Sequence, residues 1–256
     1  MGCEMAEIVY GDVREGVLFE NWGELGISSA VHQKNGSYLQ PYGESLYIVQ
    51  NGKGILCFGS KRVGVEEGYA WKSFVGQEFT IQDQDKLSIL SVEMKNSGTP
   101  EGENLEELRI VDMSKVPVKV YEYETLGQEI FTCGYSPGIG LLRFTFPIDK
   151  IPIHKHPFSG RMIIPLSGKG YTYVEPYRYE IEPGKFTLFP KATTHTNGPT
   201  PGEVLTLLAI QLPWVDSKID EENIAGHEDF VRYVESVPPK QLWKKKDELE
   251  RAAKRK

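Results

Sequence analysis

The segment His154-Lys155-His156-Pro157-Phe158-Ser159-Gly160-Arg161-Met162-Ile163-Ile164-Pro165-Leu166-Ser167-Gly168 decides the reading of this chain. Two residues apart on an extended strand, His154 and His156 direct their imidazoles to one face. A second block follows, Pro183-Gly184-Lys185-Phe186-Thr187-Leu188-Phe189-Pro190-Lys191-Ala192-Thr193-Thr194-His195, which reads as a strand, a turn and a third histidine. Three neutral imidazoles brought together from two neighbouring strands suit a divalent first-row metal ion.

The surrounding composition is that of an ordinary folded protein. The chain has 256 residues, 39% hydrophobic and 25% charged, enough for one large or two average domains. No apolar run approaches the ~18 residues of a membrane span. The N-terminus, Met-Gly-Cys-Glu-Met-Ala-Glu, lacks a secretory apolar stretch. Ala6 stands where a myristoylation signal carries Ser or Thr. Cys3, Cys57 and Cys133 are widely spaced and odd in number, which reads as free thiols in a reducing cytoplasm. A net charge of -7 argues against nucleic acid or an anionic membrane as partner.

From Val17 to Lys95 the chain runs in short β-favouring segments broken by turn residues: Leu46–Gln50, Gly54–Phe58, Arg62–Val65, Phe79–Gln82 and Leu87–Val92. No helical period is sustained there. A polar interval, Lys95 to about Lys115, suits an exposed linker. Strand signals resume at Gly140–Phe146 and continue through the histidine strand, Tyr171–Val174, Arg178–Ile181, Lys185–Phe189 and Val204–Gln211. Near the end, Glu228–Val237 suits a short amphipathic helix that Pro238-Pro239 stops. Lys240–Lys256 is helix-prone and rich in charge, either a solvated helix packed by one edge or a basic tail for an anionic partner.

The two histidine blocks resemble the cupin superfamily, whose pattern is Gly-x5-His-x-His-x3–4-Glu-x6-Gly followed by Gly-x5-Pro-x-Gly-x2-His-x3-Asn. His154, His156, Gly168, Gly184, Pro190 and His195 fall in register with it. Ile148 replaces the first Gly, Ala192 the middle Gly and Pro199 the final Asn. Arg161 stands where the metal-binding Glu belongs. The first half is similar in outline: Glu44 and Asn51-Gly52 match the Glu-x6-Gly turn, while Tyr38, Gln40 and Phe79 stand near the three histidine positions. The resemblance therefore implies an all-β bicupin of two tandem jelly-roll barrels: a degenerate barrel at 1–115, a metal-binding barrel at 116–215, and a helical tail at 216–256. For the first half, a generic β-sandwich is the plainer alternative.

The same resemblance implies His154, His156 and His195 as metal ligands. Cupins with three histidines and no Glu resemble gentisate-type, β-diketone-cleaving and cysteine-type dioxygenases, so Fe(II) is the expected metal, with Mn, Ni or Zn as alternatives. The expected substrate is a small anionic or chelating molecule. The other readings are a sugar-acid isomerase or lyase, and a ligand-binding cupin without turnover. By resemblance the chain is also expected to form a homodimer. Arg161 has two possible roles. At an effective dielectric of ~20, a guanidinium ~6 Å from a dication is repelled by roughly 5 kcal/mol. Either Arg161 clamps an anionic substrate as a catalytic-site residue, or it turns to an acidic neighbour. By strand position, Arg143, Tyr171, Tyr173 and Gln211 are further pocket candidates.

Overall fold

The computed structural model describes residues 9–12, 18–22, 25–32, 36–39, 43–94, 108–120, 125–132, 139–146, 153–174, 177–212, 220 and 222–225. The first group of strands is Val9–Asp12 (β1), Leu18–Trp22 (β2), Leu25–His32 (β3), Gly36–Leu39 (β4), Glu44–Phe58 (β5), Lys61–Glu66 (β6), Tyr69–Phe74 (β7), Glu78–Met94 (β8) and Arg109–Asp112 (β9). A 3-10 turn at Met113–Lys115 leads on to Lys119–Val120 (β10), Leu126–Phe131 (β11), Gly140–Phe146 (β12) and Ile153–Lys155 (β13). Then come Gly160–Ser167 (β14), Gly170–Val174 (β15), Tyr177–Ile181 (β16), Lys185–Phe189 (β17), His195–Pro199 (β18), Leu205–Leu212 (β19) and Glu222–Ala225 (β20).

The N-terminal unit is an eight-stranded sheet, β2-β3-β8-β5-β7-β9, with β4 on β8 and β6 on β5. The C-terminal unit has two sheets, β1-β17-β14-β19-β12-β11-β10 and β16-β15-β18-β13-β20. Two strands pair across the boundaries expected at 115 and 215: β1 with β17, and β20 with β13. Within the segment expected to be a helical tail, Glu222–Ala225 is a strand, since the open edge of β13 offers it backbone partners. The helix expected at Glu228–Val237 and the Lys240–Lys256 segment lie outside the described residues, as do Cys3 and Cys133. Cys57 is a free thiol.

The two units pack sheet on sheet, and period-2 alternation shows how. Along β14, Met162 and Ile164 join a core shared with Leu46, Ile48, Ala70, Leu90 and Val92 of the N-terminal unit, while Ile163 joins the C-terminal unit's own core. Along β19, Leu208 and Ile210 face the shared core, and Leu207 and Ala209 face inward. Because both faces are buried, these strands read as unbroken apolar runs. The Asn51-Gly52 pair does not end a strand as a hairpin would. Instead β5 continues through it, with register shifts against β8 on either side of Asn51 that bend the strand.

The two units repeat one turn. Gly168 has φ +79, and a Cβ there would lie 2.0 Å from the Val204 carbonyl oxygen. Gly52 has φ +80, and its Cβ would lie 2.2 Å from the Asp85 carbonyl oxygen. Only glycine fits either place.

Candidate metal centre

β13 lies between β18 and β20, and His154 is the register partner of His195. His156 follows at the end of β13. The three rings come together with centroids 4.4 Å (His154–His195), 4.9 Å (His154–His156) and 5.1 Å (His156–His195) apart. One nitrogen from each lies within 4.8 Å of the others. Among the described residues, these three are the one group of His, Cys, Asp or Glu so arranged. The three side chains singled out by sequence spacing thus come together at one place.

Two of the rings, those of His156 and His195, have their outer nitrogen hydrogen-bonded. His156 Nδ1 lies 2.6 Å from the Asp220 carbonyl oxygen, and His195 Nδ1 lies 2.9 Å from that of Thr193. A carbonyl only accepts, so in the neutral rings Nδ1 carries the proton and Nε2 keeps its lone pair for the centre. Burial is the largest cause holding both rings unprotonated. It brings His156 to about 2, with Arg161 and His154 adding repulsion. It pushes His195 well below its usual value, with His154 and His156 adding theirs. Neutral imidazoles anchored by backbone carbonyls through the other nitrogen are what a divalent ion requires. The site fits a metal.

The turn that presents His195 is tied to the same place. Ala192 N–H donates to the His156 carbonyl at 2.7 Å, and Ala192 adopts φ +61. The residue that replaces the middle Gly of the pattern therefore keeps the glycine-like backbone.

Arg161 meets an acid, which is the second of its two expected roles. Buried at 5% exposure, its Nη1 donates to Ser159 Oγ at 2.5 Å, and its Nη2 lies 3.7 Å from Asp220 Oδ2. Asp220 is wholly buried. Its Oδ1 accepts from Phe158 N–H at 2.8 Å, and its Oδ2 from the Ser159 hydroxyl and from Gln211 Nε2 at 3.1 Å. The Asp220 carboxylate thus supplies a buried counter-charge to the Arg161 guanidinium. Sequence reasoning missed Asp220. It lies outside both histidine blocks, and no residue pattern links it to them.

The other candidates divide. Gln211 belongs to the Asp220 network. Arg143 points instead into a cleft of about 1240 Å³ between the two units, where Lys86 and Ser167 also stand. Tyr171 and Tyr173 are buried with Ile153, and the Arg178 guanidinium lies 4.6 Å from the Tyr171 ring centre.

A scan of protein-family models found no match, and neither did a search of curated proteins. Solved structures do match. A cupin 2 conserved barrel domain protein from Leptotrichia buccalis is 17% identical, with TM-score 0.56 over 83% of this chain and 92% of that one. The chain has the cupin fold. An iolb-like protein from Salmonella typhimurium shares the fold at 12% identity, with TM-score 0.61 over 79% of this chain and 88% of that one. A Bacillus subtilis oxalate decarboxylase variant does so at 13% identity, with TM-score 0.54 over 84% and 76%. As in the expected pattern, the cupin histidines are present in the C-terminal unit only, where they form a cluster that could hold a metal ion.

Proposed function

We propose that the C-terminal unit holds one Fe(II) ion and acts as a dioxygenase on a small anionic or chelating organic molecule. The observation that carries this reading is the ligand set: three histidines with no carboxylate among them. When bound, the ion supplies Lewis acidity and redox chemistry, with positions left open for a bidentate substrate and O2. The chain's own residues supply the rest. His156 and His195 would hold the ion by Nε2, and His154 by one of its ring nitrogens, without adding charge, so that an anionic substrate would balance it. Arg161 and Asp220 offset each other beside the site.

Oxygen uptake by the Fe(II)-loaded protein, measured over a panel of diketones, thiols and dihydroxy acids, tests the reading. We expect uptake with at least one chelating substrate and none in the His195→Ala variant. Uptake equal in the two proteins would sink it. A second reading, a lyase acting on a small carboxylic acid, draws on the oxalate decarboxylase among the similar structures. It would show as CO2 release without net oxygen consumption. On either reading the chain works as a small-molecule protein of the cytoplasm. The free Cys57 supports that setting. No helix among the described residues is long and apolar enough to cross a membrane. The homodimer implied by resemblance is checked by light scattering.

A further inference from the structure

Two of the three histidines are held by residues that arrive more than sixty positions later in the chain. On one side of β13, His154 stands opposite His195 of β18; on the other, it stands opposite Asn223 of β20. His156 is anchored through Nδ1 by the carbonyl of Asp220. The Asp220 carboxylate, with no exposure to solvent, binds the turn just after His156 through Phe158 N–H and the Ser159 hydroxyl. It also meets Gln211 of β19 and Arg161 of β14. Asp220 thus fixes the ring of one ligand and neutralises the cation beside it, while β20 fixes the strand of another.

These contacts exist only while Asp220 and β20 are docked. If metal binds best to rings held this way, metal must in return favour docking, by the same factor. We propose that Asp220 is a positioning residue of the metal centre, and that metal binding and docking of β20 on β13 are one coupled equilibrium. The inference rests on the metal reading of the three histidines and is independent of which reaction they serve. It makes the C-terminal segment part of the site: whatever undocks it loosens the ion.

The test pairs a Co(II) titration, followed by visible absorption, with hydrogen exchange at the amides of Glu222–Ala225. In the wild type, saturating Co(II) should slow exchange in β20 by about tenfold or more. Asp220→Asn removes the charge and keeps one side-chain oxygen acceptor, the other oxygen giving way to an NH2 donor. It should weaken Co(II) by about tenfold, alter the absorption bands and lose most of the protection. His195→Ala should lose the Co(II) bands and the protection, yet leave metal-free exchange of β20 as in the wild type. Co(II) bands in the wild type with unchanged β20 exchange would overturn the coupling alone. An Asp220→Asn protein with wild-type affinity and wild-type protection would overturn the positioning role of Asp220. A wild type with no Co(II) bands would overturn the metal reading and this one with it. The wild-type comparison needs no variant, so it stands even where Asp220→Asn fails to fold.

Discussion

Tyr38 of β4 stands opposite Phe79 of β8, their rings stacked at 5.2 Å, in the register relation that pairs His154 with His195 in the other unit. Tyr47 and Trp71, stacked on each other at 5.2 Å, complete the cluster, with Tyr47 and Trp71 both edge-on to Phe79. Aromatic packing has taken the place of ligation, and each such pair contributes about 0.5–1.5 kcal/mol beyond its buried area. We therefore expect about one metal ion per chain by elemental analysis, with His154→Ala or His195→Ala losing most of it. A value near two would show a second site in the N-terminal unit.

Lys72 and Glu44 form an ion pair with neither side chain exposed, on the face where the units meet. Glu44 Oε2 also accepts from Ile139 N–H of the C-terminal unit at 2.9 Å. Glu44 is the position where the pattern's ligand Glu survives, and here it joins the two units. Lys72→Met leaves a buried, unpaired carboxylate and should cost about 3–5 kcal/mol in denaturant unfolding. Adding Glu44→Gln removes the charge yet keeps an acceptor for Ile139, so the double variant should regain much of the loss. A single variant as stable as wild type would contradict this account.

Acid should destabilise the metal-free protein from near neutrality downward. The folded pKa of His156 is lowered to about 2 and that of His195 is lowered too, both mainly by burial. Below the unfolded value of ~6.5 the unfolded chain binds more protons than the folded one. Stability is therefore full above that value and falls as pH drops toward the folded values. Each histidine contributes a loss of about 1.4 kcal/mol per pH unit in that window. Urea midpoints between pH 7.5 and 5 check the sign. His156→Gln should flatten the dependence.

At Ala192 the backbone is left-handed, with φ +61. Ala192→Gly removes the Cβ from that conformation and should raise stability by about 0.5–1 kcal/mol, without loss of metal affinity. Thermal unfolding of the variant reads the change, and a lowered midpoint would mean that unfolded-chain entropy outweighs the strain.

Arg161→Ala breaks the pair with Asp220 and leaves that carboxylate buried beside Ser159 and Gln211. The expected result is a loss of about 3–5 kcal/mol of stability, with affinity for a small anionic ligand little changed. A stable Arg161→Ala protein that has lost anion affinity roughly 30-fold or more would restore the clamp.

The sequence alone determined the all-β class, because period-2 runs and turn residues are local properties of the backbone. It also determined His154, His156 and His195 as one site. Strand alternation fixes the face of the first two, and the spacing to the third matches a known pattern. It placed Tyr38 and Phe79 at the corresponding positions of the first unit, which the β4–β8 register bears out. Tertiary structure alone decided which partner Arg161 takes. Asp220 is 59 residues away in the chain, and a buried ion pair depends on where two segments meet in space rather than on spacing in either. It likewise decided that Glu222–Ala225 forms a strand: those four residues follow the free edge of β13, whose unpaired backbone outweighs any local preference.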